Sequence, residues 1–402
     1  MEKRWSKVKT VTDLLNLSHL DSKSTLGQPA EIPLYGWPLV PSMNFSTAYA
    51  FNSIDDLVKY HDDKYNSIRY ARDSSLLVRQ LEYYFSQFHD GHHALLFNSG
   101  MSAVSACLNS IVNKDSVVLA AGSFYRKCNN IIANFESRFG IPFRNLPDIE
   151  ALLAEGSDSE NIVIFLESPS NPFLRIVDIE SVRSAFPKAR IVLDVTLQGL
   201  VNGVEQVSSV DYLVMSCTKY IGGHNDVLAG AVICRDEELY SRTWEDRSMR
   251  GGIVDNFSAY MLLRSLRTYD IRMERMLENV EEVLSFLNDN SSVESIYYPG
   301  RYANADQAEV FSSTLSHGGG VITFQVDRKI NLEENLEKLL STKMAPSFGS
   351  VDSLIEIPFY MSYWGRSRQD VQRLGLDERT VRFSVGNEPV KYILSDLERV
   401  LG

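Results

Sequence analysis

Cysteine is scarce in this chain: Cys107, Cys128, Cys217 and Cys234 are spread through 402 residues without a C-x-x-C pair. That spacing excludes a disulfide framework and a cysteine-rich zinc site, and it fits a reducing compartment. Basic charge is short too. The net charge is −12 and no block of consecutive basic residues offsets it, so the electrostatic footprint for DNA, RNA or an anionic membrane is missing. No apolar run approaches the ~18 residues of a membrane span. Lys3, Arg4, Lys7 and Lys9 are followed by Thr12-Asp13-Leu14-Leu15-Asn16, which lacks the apolar stretch of a secretory signal. The expectation is a soluble, cytoplasmic protein that binds neither nucleic acid nor membrane.

What is present points to a large α/β domain with a smaller partner, since 402 residues exceed one simple core. Residues 1–60, punctuated by Pro33, Gly36, Pro38 and Pro41, read as an extended arm of the kind that docks on another subunit. Residues 61–256 read as the large domain. Leu76, Leu77, Gln80, Leu81, Tyr84 and Phe85 recur at helical spacing, and Ala94–Phe97 makes a short strand. The runs Val117–Leu119, Ile162–Leu166, Ile191–Leu193, Tyr212–Met215 and Ala231–Ile233 alternate with helical or loop segments. Such runs predict a mostly parallel sheet, seven-stranded in type and covered on both faces. A long helix over Phe257–Leu287 then opens a C-terminal α+β domain, 257–402, with strands near 320–324 and 381–385.

The chemistry gathers at strand ends, where ligands of parallel α/β sheets sit. Lys219 follows Tyr212–Met215 within Ser216-Cys217-Thr218-Lys219-Tyr220-Ile221-Gly222-Gly223. A Schiff-base lysine needs this presentation, reachable by a carbonyl and desolvated enough to lower a pKa of about 10.4. A surface lysine in a Gly-rich turn is the plain alternative. Asn98-Ser99-Gly100-Met101 leaves one strand and opens a helix, so its N–H groups and the helix dipole make a phosphate cradle. Asp194 ends Ile191–Leu193, and the hydroxyls of Ser216 and Thr218 flank the lysine. An imine-forming lysine, an aspartate to keep a pyridine nitrogen protonated and an anchored phosphate are the demands of pyridoxal 5′-phosphate.

These residues carry a resemblance. The chain resembles the cystathionine γ-synthase-like, Cys/Met-metabolism group of fold-type I pyridoxal-phosphate enzymes along nearly its whole length. The matching segments are Tyr70-Ala71-Arg72, Ser99-Gly100-Met101, Glu167-Ser168-Pro169-Ser170-Asn171-Pro172, Asp194, Ser216–Tyr220, Gly223–Asp226, Leu262–Thr268, Ser347-Phe348-Gly349 and Arg382–Glu388. The resemblance implies a homodimer or homotetramer in which Tyr70 and Arg72 reach the cofactor phosphate of a neighbouring subunit. It implies that Ser99, Gly100, Met101, Ser216 and Thr218 hold that phosphate, with Asp194 and Thr196 at the ring. Arg382 takes the α-carboxylate of an amino-acid substrate, and Asn171 and Ser347 line the cofactor and substrate edge. The implied reaction is replacement or elimination at Cγ of an O-activated homoserine or related sulfur amino acid, with a second nucleophile as co-substrate in a replacement. The alternatives are cystathionine or methionine γ-lyase and β-lyase action.

Several positions depart from the family's pattern. Its ring-stacking tyrosine falls on Phe124, which stacks but transfers no proton, with Tyr125 next in line. Positioned acid–base catalysis contributes ~10²–10⁴-fold, so Tyr125 or Lys219 has to supply it or the elimination step is altered. The acidic residue preceding the serine is Pro346, Asn-Pro-Thr becomes Ser75-Leu76-Leu77, and Asp-Asn-Thr becomes Asp194-Val195-Thr196. These changes make cystathionine a poorer substrate expectation and a specialised nucleophile a better one. An aminotransferase of this fold typically has a phosphate-binding arginine just beyond the lysine, and residues 220–230 contain none. His317-Gly318-Gly319-Gly320 resembles an esterase oxyanion loop but lacks a Gly-x-Ser-x-Gly elbow, so it reads as a turn. His89-Asp90-Gly91-His92-His93 reads as a solvated loop rather than a metal site. A scaffold that merely keeps the fold has no need of Lys219, Asp194 and Arg382 together.

Overall fold

The computed structural model describes residues 10–11, 39–65, 67–365 and 368–402. Most of the segment read as an N-terminal arm lies outside the described residues. Its end is not irregular, because a helix spans Ile54–Asp62, capped by the Ser53 hydroxyl.

The first sheet has seven strands: β1 His93–Phe97, β2 Val117–Ala121, β3 Phe143–Leu146, β4 Ile162–Glu167, β5 Arg190–Asp194, β6 Tyr212–Ser216 and β7 Gly230–Cys234. They lie in the order β1-β7-β6-β5-β4-β2-β3. The pairs from β6 through β3 are all parallel. Strand β7 runs antiparallel to both β6 and β1, so the sheet is mixed rather than uniformly parallel. The apolar run of β7 gave no hint of this, because a strand buried on both faces reads alike in either direction. One apolar face packs beneath helices Leu76–Phe88 and Asn256–Leu266. The other packs beneath helices Gly100–Ile111, Arg126–Phe139 and Glu237–Arg250.

The second sheet has six strands: β8 Val293–Tyr298, β9 Arg301–Tyr302, β10 Val321–Val326, β11 Lys343–Met344, β12 Leu354–Glu356 and β13 Thr380–Ser384, ordered β11-β12-β13-β10-β8-β9. All but the short β11–β12 pair are antiparallel. Helices Tyr269–Asp289 and Val390–Leu401 cover it.

The long helix expected over Phe257–Leu287 is two. Asn256–Leu266 ends at Arg267, and Tyr269–Asp289 starts after Thr268. The second belongs to both cores: Tyr269, Met273 and Met276 pack with the seven-stranded sheet, and Val280, Val283, Leu284 and Leu287 pack with the six-stranded one. Histidine 89 also departs from the solvated-loop expectation. It is buried, with Nδ1 2.8 Å from the Phe85 carbonyl, so it closes a helix end. His317-Gly318-Gly319-Gly320 does lead directly into β10.

Two buried charge networks lock these layers. The Arg247 guanidinium pairs with Glu82 and donates to the Leu96 carbonyl at 2.8 Å and the Asp73 carbonyl at 3.1 Å. In the small domain, buried Asp396 accepts the N–H groups of Leu340, Ser341 and Thr342 at 2.9, 2.8 and 2.7 Å. Burial raises the Asp396 pKa, but these N–H groups outweigh it and hold the carboxyl down at about 2. A folded pKa below the unfolded value near 3.9 stabilises the native state above that value. The gain is lost as pH falls toward 2. Asp396→Ala is expected to cost about 1–3 kcal/mol at pH 7, read as the urea midpoint, and the gap from wild type should narrow between pH 4 and pH 2.

Candidate active site

The site is built where β4, β5 and β6 end beside the first turn of helix Gly100–Ile111. Ser99 caps that helix, its hydroxyl accepting Ser102 N–H at 3.1 Å while its carbonyl takes Ala103 N–H at 3.1 Å. The first four N–H groups of a helix have no intrahelical carbonyl; Ser102's is satisfied by the Ser99 hydroxyl, and those of Gly100 and Met101 remain for a ligand. A Cβ on Gly100 would lie 3.0 Å from Ser216 Cβ and 3.2 Å from its hydroxyl oxygen. One on Gly230 would lie 2.4 Å from the Ser99 carbonyl oxygen. The two glycines seat the helix start directly on β6 and β7, placing the Ser216 hydroxyl beside the free N–H groups. Thr218 is more locally engaged, accepting Ala229 N–H at 3.1 Å and lying 3.4 Å from the Ala229 carbonyl.

Lys219 sits in the turn after β6. Its Nζ donates to Ser347 Oγ at 3.0 Å and lies 4.9 Å from the Phe348 ring centroid. Burial, and then the nearby Arg382 cation, lower its pKa to about 8 against a weaker opposing pull from Glu356. The turn is held from behind by Arg272, whose guanidinium donates to the carbonyls of Tyr220 at 2.8 Å and Ile221 at 3.1 Å. Nothing in the sequence marks Arg272 for this, because helical periodicity locates a face and not the tip of a long side chain.

Asp194 and Glu167 end adjacent strands in direct register. Asp194 Oδ1 takes the Thr196 N–H at 2.9 Å and its hydroxyl at 2.6 Å, while Oδ2 has no donor among the described residues. Thr196 also accepts Ser216 N–H at 2.9 Å, joining β5 to the lysine-bearing strand. Glu167 Oε2 accepts the Tyr125 N–H at 2.8 Å. Burial raises the pKa of both carboxyls, and the Asp194 charge raises that of Glu167 further. The sequence does show Glu167 as a charge ending an apolar strand, the same signal that marks Asp194.

Phe124 is buried, its ring 5.5 Å from that of Phe165 on β4. Tyr125 is exposed and is the N-cap residue of the next helix, Arg126–Phe139; partial burial of its phenol raises the pKa. Arg382 on β13 completes the group. Its Nη1 donates to Asn171 Oδ1 and its Nη2 to the Ser347 carbonyl, both at 3.3 Å. Nη2 is also ion-paired with Glu356, a residue legible only as a lone charge in Leu354-Ile355-Glu356-Ile357. Pro346 is exposed beside the cluster. Tyr70 and Arg72 stand apart: they are exposed and line an open cleft of about 610 Å³ with Ala48, Tyr49 and Arg69. No hydrogen bond or ion pair joins them to Lys219 or Asp194 among the described residues.

The profile of one enzyme family, Cys/Met metabolism PLP-dependent enzyme, matches residues 38–402. The chain belongs to that family. It is 30% identical over 366 residues to cystathionine gamma-synthase 1 of Arabidopsis thaliana, covering 90% of this chain and 64% of that protein. It is 27% identical over 339 residues to cystathionine beta-lyase of Lactococcus lactis, covering 83% and 88%. The structure superposes on cystathionine gamma-lyase from Lactobacillus plantarum with a TM-score of 0.81 at 25% identity, over 90% and 92% of the two chains. Family membership and these likenesses support the class, a transferase or lyase of the Cys/Met-metabolism type, and the α/β fold with a smaller C-terminal domain.

The residues present fit pyridoxal phosphate. The glycine-lined helix start leaves two N–H groups and a hydroxyl at one point, the buried residue Asp194 keeps one carboxylate oxygen without a donor among the described residues, and Lys219 offers a desolvated amine. A pKa of about 8 has a direct consequence. In the cofactor-free protein, pulse labelling of Lys219 by formaldehyde and a borohydride should be half-maximal near pH 8, against ~10.4 for surface lysines, when read by peptide mass spectrometry. A midpoint above pH 10 would show that the amine is not desolvated.

Proposed function

We propose that this chain uses pyridoxal phosphate to act on an amino acid carrying a leaving group at Cγ. γ-Replacement on an O-activated homoserine, or a related γ-substituted amino acid, is ranked ahead of simple γ-elimination. The observation that carries the reading is the junction at Ser347: its hydroxyl accepts the Lys219 amine and its carbonyl holds the Arg382 guanidinium. A nucleophilic nitrogen and a carboxylate receptor therefore lie one residue's span apart, as an α-amino acid requires.

When bound, the cofactor supplies an aldehyde carbon and an electron-withdrawing ring. The chain's own residues do the rest. Gly100 and Met101 N–H groups and the Ser216 and Thr218 hydroxyls hold the phosphate at a helix N-terminus, where partial positive charge gathers. Ser99 shapes that turn as its cap. Asp194, oriented by Thr196, would accept a hydrogen bond from the protonated ring nitrogen and so keep it protonated; a charge-assisted bond of this kind contributes about 1.5–3 kcal/mol. Phe124 gives the ring an apolar face. Arg382 takes the α-carboxylate in a planar fork, with Asn171 and Ser347 fixing its orientation. Lys219, near neutrality in pKa, carries protons between Cα and Cβ. Tyr125 takes the proton role that Phe124 lacks. Tyr70 and Arg72, exposed on a separate cleft, complete a partner subunit's phosphate site in a dimer or a dimer of dimers.

The relatives' names cover a γ-synthase, a β-lyase and a γ-lyase, and lyase action is the second reading for that reason. Against cystathionine as the preferred substrate stands Pro346, which has no charge for a distal ammonium. Incubation with O-acetyl- and O-succinyl-homoserine, methionine and cystathionine, with and without thiols, separates the readings. Thiol adducts are expected, and keto acid release from all four without any adduct would exclude replacement. Lys219→Ala should abolish turnover and the cofactor's bound absorbance while keeping the oligomer. Tyr125→Phe should lower kcat by ~10²-fold or more with a smaller change in KM.

A further inference from the structure

Glu356 has no role in the reading above, although it lies against the residue that the reading uses to grip substrate. It sits on β12 in direct register with Arg382 on the antiparallel neighbour β13, so both side chains leave the same face of the sheet. The pair is almost fully enclosed, with side-chain exposures of 1% for Glu356 and 6% for Arg382. Glu356 is anchored at its other oxygen, where Oε1 accepts the Ser362 hydroxyl. The Ser362 carbonyl in turn accepts from Arg126 Nη1 at 3.3 Å, and the same nitrogen reaches the Trp364 carbonyl at 3.0 Å. Arg126 directly follows Phe124 and Tyr125. A continuous set of contacts thus runs from the turn beside the cofactor to the carboxylate receptor. Oε2, the atom facing Arg382, has no aligned donor, so charge rather than a directed hydrogen bond holds the pair.

We propose that Glu356 is a positioning residue, the resident counter-ion of Arg382, which keeps the guanidinium in place between turnovers and weakens its grip on carboxylates that bring nothing else. The inference rests on Arg382 being the α-carboxylate receptor. A buried cation left without a partner is costly and attracts any anion strongly; one already matched attracts far less. An amino acid offsets the weakened grip through its amine, which exchanges with Lys219. A plain carboxylate, including a keto acid product, has no such second attachment and leaves easily. Glu356 therefore separates amino acids from simple carboxylates by charge and favours product release.

The holoenzyme tests this with butyrate as the plain carboxylate, measured as a competitive inhibitor and as a shift in melting temperature. Glu356→Gln should tighten butyrate binding on the order of tenfold, a change of ~1.4 kcal/mol, and enlarge the melting shift in proportion. KM for the amino acid should fall together with kcat as product leaves more slowly. Unchanged or weaker butyrate binding in Glu356→Gln, with wild type responding to amino acid, overturns the proposal alone. A wild-type holoenzyme responding to neither amino acid nor butyrate overturns the Arg382 reading and this inference with it. If Glu356→Gln does not fold, Glu356→Asp keeps the charge but withdraws it from the guanidinium. It must then bind butyrate more tightly than wild type, and equality overturns the proposal.

Discussion

The seating of one helix start against two strand ends is the constraint on which the site depends. A side chain at Gly230 would collide with the Ser99 carbonyl, and one at Gly100 would press on Ser216, so the backbone there approaches closely enough that only hydrogen fits. That approach aligns the first turn of helix Gly100–Ile111 with the end of β6. It therefore fixes how far Lys219 stands from the N–H groups of Gly100 and Met101. Asp194 joins the same frame through Thr196, which accepts from Ser216. Cradle, carboxylate and amine are consequently positioned by backbone packing in the large domain, where few side chains have any freedom to move.

The small domain supplies the other half of the arrangement. Ser347, Phe348, Glu356 and Arg382 approach from the six-stranded sheet, and Asn171 meets them from the large domain. A further tie is the Thr323 hydroxyl on β10, which donates to the Pro172 carbonyl at 2.6 Å. On the proposed reading, the groups that would hold the cofactor come from the large domain and most of those that would hold the substrate from the small one. Pro346, in place of an acidic residue, falls in the second half, whereas Phe124, in place of a phenol, falls in the first, packed on Phe165 of β4.

Much of this was legible in the chain itself. Strand-terminal Asp194, the Ser99-Gly100-Met101 helix start and the lysine turn lie within short local patterns, where strand length, cap chemistry and apolar periodicity act directly. The seven apolar-strand positions were largely readable for the same reason, except β3, whose Phe143-Arg144-Asn145-Leu146 has no apolar run. What could not be read depends on contacts between distant segments. The reversal of β7 follows from how the Gly222–Ala229 connection crosses, and a doubly buried strand carries no mark of direction. Arg272, Glu356 and Arg126 act through side-chain tips that meet partners 51, 26 and 236 residues away, as their pairings show. The domain limit drawn at 256/257 falls at the start of helix Asn256–Leu266, which packs with the large core, while the helix shared by both cores begins only at Tyr269.

That shared helix, Tyr269–Asp289, has a mechanical meaning. Its first half is embedded in the large core, its second half packs with the small sheet, and within the first half Arg272 grips the carbonyls that follow Lys219. The helix thereby ties the small sheet to the two residues that directly follow Lys219. The turn that presents the amine is thus braced by the helix that both cores share.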